Sequence, residues 1–255
     1  MDIRKMMTAR TPGWYDLIDG EETAEIRIDG IVGESWEGDG TNARRFIEQL
    51  NAIRAPHINV RINSPGGAVF DGLAIYNALH ALGRKITVTV DGIAASIAAV
   101  IAMAGDEIVM PANSYLMVHR PWTIAAGNSD ELIAEAGTLE DLTKTITGIF
   151  ADRSGQTEDK IRDLLIGAPG SDGTFIPADE ALRLHLATEV TPNKTGAADC
   201  AALDVYDLIP SGIRARAEVK PAAAVPAPPQ EDNPESFREV FAQFHINTTQ
   251  EVNHD

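Results

Sequence analysis

The chain has 255 residues and a mass of 27.4 kDa, with 44% apolar, 23% charged and 5% aromatic residues. This is globular usage, long enough for one large domain or two small ones, with a core of Ala, Ile, Val and Leu rather than rings. Against 21 Lys and Arg stand 38 Asp and Glu, a net charge of -17 and a pI near 4.7, which disfavours a nucleic-acid backbone or an anionic membrane as partner. One cysteine, Cys200, leaves no intrachain disulfide and no zinc knuckle, and fits a reducing, intracellular setting.

The first residues carry basic groups but no apolar run after them, so no secretory signal is expected. The longest uncharged apolar stretch, Gly92 to Gly105, is too short to span a bilayer. Glu25 to Val32 alternates polar and apolar residues, which predicts a half-buried strand with Ile26 and Ile28 on one face. Asn42 to Ile53 has helical spacing through Ala43, Phe46, Ile47 and Leu50. His57 to Ile62 alternates again and ends in Asn63-Ser-Pro-Gly-Gly67.

A helix is predicted over Asp71–Leu82, stopped by Gly83, and a strand over Lys85–Val90, closed by an Asp91-Gly92 turn. Ser96 to Ala104 is uncharged and Ala-rich, hence a helix buried nearly all round. Short strands follow at Glu107–Met110 and Tyr115–Val118, the second leading into His119-Arg-Pro-Trp122. Helices are predicted over Asn128–Phe150, Thr157–Leu165 and Pro177–Leu186. The alternation implies an α/β class with a mainly parallel sheet and crossover helices.

Residues 221–234 hold five prolines and read as an extended linker. Beyond them Phe237, Val240, Phe241 and Phe244 have helical spacing, either a short partner-binding helix near 235–245 or a loosely ordered end. The chain is therefore divided into an N-terminal segment, 1–24, a folded domain, 25–195, and a tail, 196–255.

Three places could carry chemistry. Gly66 and Gly67 close a buried strand, where the missing Cβ lets a backbone N–H approach a ligand, although a Gly-Gly pair also serves in ordinary turns. Ser96 opens the small-residue helix, where helix-end N–H groups favour developing negative charge; the alternative is a plain helix cap. His119 ends a strand with two ring nitrogens free to face different partners, or is structural. No histidine pairs with another or with Cys200 at a metal-ligand spacing.

Ile62-Asn-Ser-Pro-Gly-Gly67, Asp91-Gly-Ile-Ala-Ala-Ser96, Met117-Val-His-Arg-Pro121 and Phe175-Ile-Pro-Ala-Asp-Glu-Ala181 resemble, in order, the Clp-type serine peptidases, and within them the phage forms that act in head maturation. The resemblance implies the fold shared with crotonases, built from repeated (ββα)-type units. It also implies Ser96 as nucleophile, His119 as general base, and an oxyanion hole from the Gly67 and Ile97 amides. Substrate would lie along Gly66, Ala68, Val69 and Phe70, added as an extended strand, with Pro121 nearby.

In that family the third carboxylate stands two residues before the aromatic, which here is Gly173; Asp172 is one position earlier and Asp179 lies inside the next helix. Asp172 is therefore the expected third member, after a one-residue loop adjustment. The resemblance further implies no cofactor or metal, a protein or peptide substrate such as capsid or scaffolding protein, and a ring-shaped homo-oligomer. Without a G-x-x-x-x-G-K-[ST] motif, an ATP-driven unfoldase would be a separate partner. The expected location is the bacterial host cytoplasm or a viral prohead. Two other readings stay open: a scaffolding protein without turnover, and a crotonase-like acyl-thioester enzyme with Asp71 as its acid or base.

Overall fold

The structure is a computed structural model and describes residues 14–33 and 43–192. Cys200, the proline-rich segment and the helical spacing near 235–245 lie outside the described residues. The elements in order are β1 (Tyr15–Ile18), β2 (Thr23–Val32), α1 (Ala43–Ala52), β3 (His57–Gly67), α2 (Val69–His80), β4 (Lys85–Ala95) and α3 (Ile97–Ala102). They continue as β5 (Glu107–Pro111), β6 (Tyr115–Val118), α4 (Ser129–Ser154), α5 (Glu158–Ile166), β7 (Thr174–Pro177), α6 (Ala178–Arg183) and β8 (Glu189–Thr191).

One mixed sheet runs in the order β1-β2-β3-β4-β5-β8, with β6 beside β4 and β7 beside β6. The β2, β3, β4, β5 and β8 neighbours pair in parallel, as do β4 and β6; β1 with β2 and β6 with β7 are antiparallel. The two-residue period decides the sides. Ile26, Ile28, Ile58, Val60, Ile62, Ile86, Val88 and Val90 are buried against the helices, while Arg27, Asn59 and Thr87 stay outside.

Helix α3 lies wholly inside, all six residues from Ile97 to Ala102 buried. Its small side chains let it pack on α2 and on β3 and β4 together. Asn128 caps α4, its side chain accepting from Asp130 and Glu131 N–H while the Glu131 carboxylate accepts from Asn128 N–H. Only the C-terminal half of α4 is buried, through Thr143, Ile146, Thr147, Phe150 and Ser154. Among the described residues no helix is long and apolar enough to cross a membrane.

Several expectations change. Asp91-Gly92 is not a turn: β4 runs through it to Ala95, because Asp91 is held by Arg61 of the neighbouring strand (Arg61 Nε to Asp91 Oδ2, 2.9 Å). The β3–β4 register slips between Ile62 and Ser64, absorbing the irregularity within the sheet. The expected Pro177–Leu186 helix shortens to α6, because Phe175 to Pro177 first pair with β6. The N-terminal segment, set outside the folded domain by sequence, supplies β1 and the buried Trp14, whose ring stacks on Phe46 of α1.

Candidate active site

The parallel pairing of β4 with β6 sets Ala95 opposite Met117. The residues just past both strand ends, Ser96 and His119, are thereby brought together although 23 apart in sequence. Ser96 Oγ lies 2.7 Å from His119 Nε2. The Ser96 backbone has φ 55° and ψ -128°, a left-handed conformation that a non-glycine residue adopts only under constraint. Its N–H donates to Met117 O at 2.8 Å, which pins the turn. Its side chain makes no cap hydrogen bond to α3, so the plain-cap reading of Ser96 fails. The geometry is that of a nucleophile elbow without the flanking glycines of G-x-S-x-G.

The Gly-Gly segment is the last part of β3, not a free turn, with Gly67 in register with Val32 of β2. Buried Ser64 braces it, donating through Oγ to Gly30 O at 2.5 Å and accepting from Gly66 N–H at 3.1 Å. Gly66 has φ 96°, and a Cβ there would stand 2.6 Å from Ser96 Cβ and 3.2 Å from Ile97 N. The bare backbone of Gly66 therefore sits directly against Ser96 and the first amide of α3, while that of Gly67 lies close against Val32. The Ile97 amide at the start of α3 thus lies close to the Ser96 hydroxyl and the Gly66 backbone, where a developing negative charge can be held.

His119 is half-buried. Burial pushes its imidazole down from 6.5 to about 4, and the negative charge of Asp172 acts in the opposite direction. At neutral pH the ring is uncharged and able to accept a proton. Asp172 lies in the loop entering β7, which the antiparallel register (Val118 with Thr174) brings beside the end of β6. Gly173, the position at which the family resemblance would place a carboxylate, faces His119 directly, and a Cβ on it would come 2.5 Å from His119 Cβ.

A small apolar pocket adjoins the pair, lined among others by Val69, Val100, Pro121, Ile146, Phe150 and Leu165. Val69 and Pro121 are both part of this lining. Phe70 is not: it lies in the first turn of α2, 68% exposed, and is absent from the pocket lining. The extended stretch ends at Ala68, with φ -66° and ψ 119°, and the Ala68 N–H is already donated to Val32 O at 2.9 Å. Strand addition along Ala68 to Phe70 is corrected accordingly, since the chain turns helical at Val69. Asp71 turns aside too, its carboxylate packing beside Gly33 at the end of β2.

Sequence reading missed Gly72, where a Cβ would stand 2.1 Å from Ile97 Cγ1. It also missed the pocket walls from α4 and α5, Ile146, Phe150 and Leu165. Their helical spacing identified buried faces but not what those faces meet. Among the described residues no group of His, Cys, Asp and Glu could hold a metal ion.

An α/β sheet carrying a hydroxyl, an uncharged imidazole and neighbouring amides defines a class able to attack a carbonyl carbon. The Clp protease family matches residues 30–194, and the chain belongs to that family. It is 34% identical over 173 residues to an ATP-dependent Clp protease proteolytic subunit of Ligilactobacillus salivarius, covering 65% of this chain and 85% of that one. A Bacteroides thetaiotaomicron protein of the same description is 36% identical over 177 residues (67% and 78%), and one from Chlorella vulgaris 32% over 194 (71% and 90%).

Proposed function

We propose that this chain is a serine endopeptidase that cleaves peptide bonds through an acyl-enzyme. The observation that carries the reading is the 2.7 Å contact between Ser96 Oγ and His119 Nε2 at a serine held at φ 55°. In this mechanism Ser96 Oγ attacks the scissile carbonyl carbon as its proton passes to His119 Nε2. The Gly67 and Ile97 amides take the charge that develops on the carbonyl oxygen, each such donor typically contributing about 10²–10³-fold. The imidazolium returns its proton to the leaving amine, and water, activated by the same ring, releases the acyl group. Asp172 stabilises the imidazolium and fixes which ring nitrogen faces Ser96.

Val69, Val100, Ile146, Phe150 and Leu165 form the apolar surroundings of the Ser96–His119 pair. The relatives are named proteolytic subunits of an ATP-dependent protease, which supports a ring-shaped homo-oligomer served by a separate unfoldase. The finer reading is a head-maturation protease of a phage, with repeated (ββα)-type units, capsid or scaffolding proteins as substrate, and the host cytoplasm or prohead interior as its place. Its support is the motif order and the short Ser96 to His119 separation. A scaffold without turnover would have no use for the strain stored at Ser96.

The test is labelling with a fluorophosphonate probe. Wild type labels, whereas Ser96→Ala and His119→Ala lose labelling while keeping the wild-type melting temperature and elution volume. Equal labelling of Ser96→Ala would overturn the assignment.

A further inference from the structure

We propose that Gly173 is a positioning residue that delivers the carboxylate of Asp172 to His119 from one place earlier in the chain than the spacing of the family provides. The inference rests on the peptidase reading above and extends it to the loop that orients the base.

The register of β6 with β7 sets Val118 opposite Thr174 and Met117 opposite Phe175. One step further along both strands, His119 faces position 173. A Cβ there would stand 2.3 Å from Val118 O, 2.5 Å from His119 Cβ and 3.0 Å from His119 Cα. These are backbone atoms and the root of a side chain, not the end of a flexible one, so no side chain fits at 173 without displacing the base itself. Gly173 also has φ 130°, a conformation that strains any other residue. A carboxylate at 173 is excluded twice, by space and by backbone.

The loop before it is built to supply the carboxylate from 172 instead. Gly167 and Gly170 have φ 72° and 81°, letting the chain fold back after α5. Ser171 Oγ lies 2.7 Å from Ala168 O and 3.0 Å from Gly173 O, tying the two ends of the loop together. Thr174 Oγ1 donates to Leu164 O at 2.6 Å and anchors the start of β7 to α5. Asp172 is held between these fixed points, and among the described residues it is the charged side chain whose field acts on the His119 ring.

Full-length wild type, Gly173→Ala, Asp172→Asn and Ser96→Ala are compared by peptide kcat and KM, by fluorophosphonate rate against pH, and by NMR titration of His119. A negative neighbour favours the imidazolium, so removing or displacing Asp172 lowers the His119 pKa. Gly173→Ala is expected to lose on the order of 10²-fold in kcat with KM nearly unchanged. Its acid limb moves to lower pH in the same direction as that of Asp172→Asn. Wild-type kcat, or lowered stability with an unmoved acid limb, would overturn the proposal. Should Gly173→Ala fail to fold, the His119 titration in Asp172→Asn decides: a downward shift supports delivery of the carboxylate, and an unshifted ring refutes it. Persistent labelling of Ser96→Ala would sink the peptidase reading itself. Loss of that labelling beside an unaffected Gly173→Ala sinks only this inference.

Discussion

Gly72→Ala tests whether the Ile97 amide, the proposed oxyanion donor, is set by packing between α2 and α3. The added Cβ would stand 2.1 Å from Ile97 Cγ1 and 3.2 Å from both Ile97 Cβ and Cδ1. Ordinary carbon contacts begin near 3.5 Å, so the two helices must part by about 1 Å or Ile97 must leave its rotamer. Two effects oppose each other. Alanine gains about 1 kcal/mol of helix propensity over glycine, whereas overpacking a close-packed core costs about 1–3 kcal/mol. Overpacking wins because the contact reaches the root of the Ile97 side chain and α3 is buried on every side.

A net loss of about 1 kcal/mol corresponds to a melting temperature lower by about 2–4 °C in a domain of this size. The functional effect is larger, because Ile97 N–H moves with its side chain and a misplacement of about 1 Å costs up to about 10²-fold in rate. The Ser96–His119 pair is untouched, so kcat falls while KM holds. The assay is peptide hydrolysis, alongside a thermal melt. Wild-type kcat together with a raised melting temperature would refute the reasoning, showing that the helix gain dominates and the contact relaxes freely.

The depressed His119 pKa has a signed consequence for stability. Between about pH 4 and 6.5 the unfolded chain binds a proton there that the folded chain refuses, so stability present above pH 6.5 is lost as pH falls, by about 3 kcal/mol at the low end. The urea midpoint of wild type should fall relative to that of His119→Gln as pH is lowered through that window, and parallel curves would contradict the burial of the ring. The Arg61–Asp91 pair joins β3 to β4 with both side chains 29% exposed. A double-mutant cycle with Arg61→Ala and Asp91→Ala should give a coupling of about 1 kcal/mol with labelling of Ser96 unchanged; zero coupling would mean that the pair does not hold β4 straight through Gly92.

The alternation of Glu25–Val32, His57–Ile62 and Lys85–Val90 determined the strands and their buried faces, because a two-residue period in a half-buried sheet has one register that buries Ile26, Val60 and Val88 together. The uncharged run after Ser96 likewise determined a helix with no solvent face. Local pattern could not reveal β1 or β7, each four residues long and stabilised only by an antiparallel neighbour. Nor could it reveal the continuity of β4 through Asp91-Gly92, which depends on an arginine 30 residues away. Ser96 and His119 were visible as residue types at strand ends; their 2.7 Å contact exists because β4 and β6 are parallel neighbours ending at the same level. The third carboxylate shows the division most clearly. The family resemblance pointed to position 173, where the chain has glycine, and only the β6–β7 register explains why: that position lies against His119, with no room for a Cβ, and the proposed carboxylate is that of Asp172, one residue earlier.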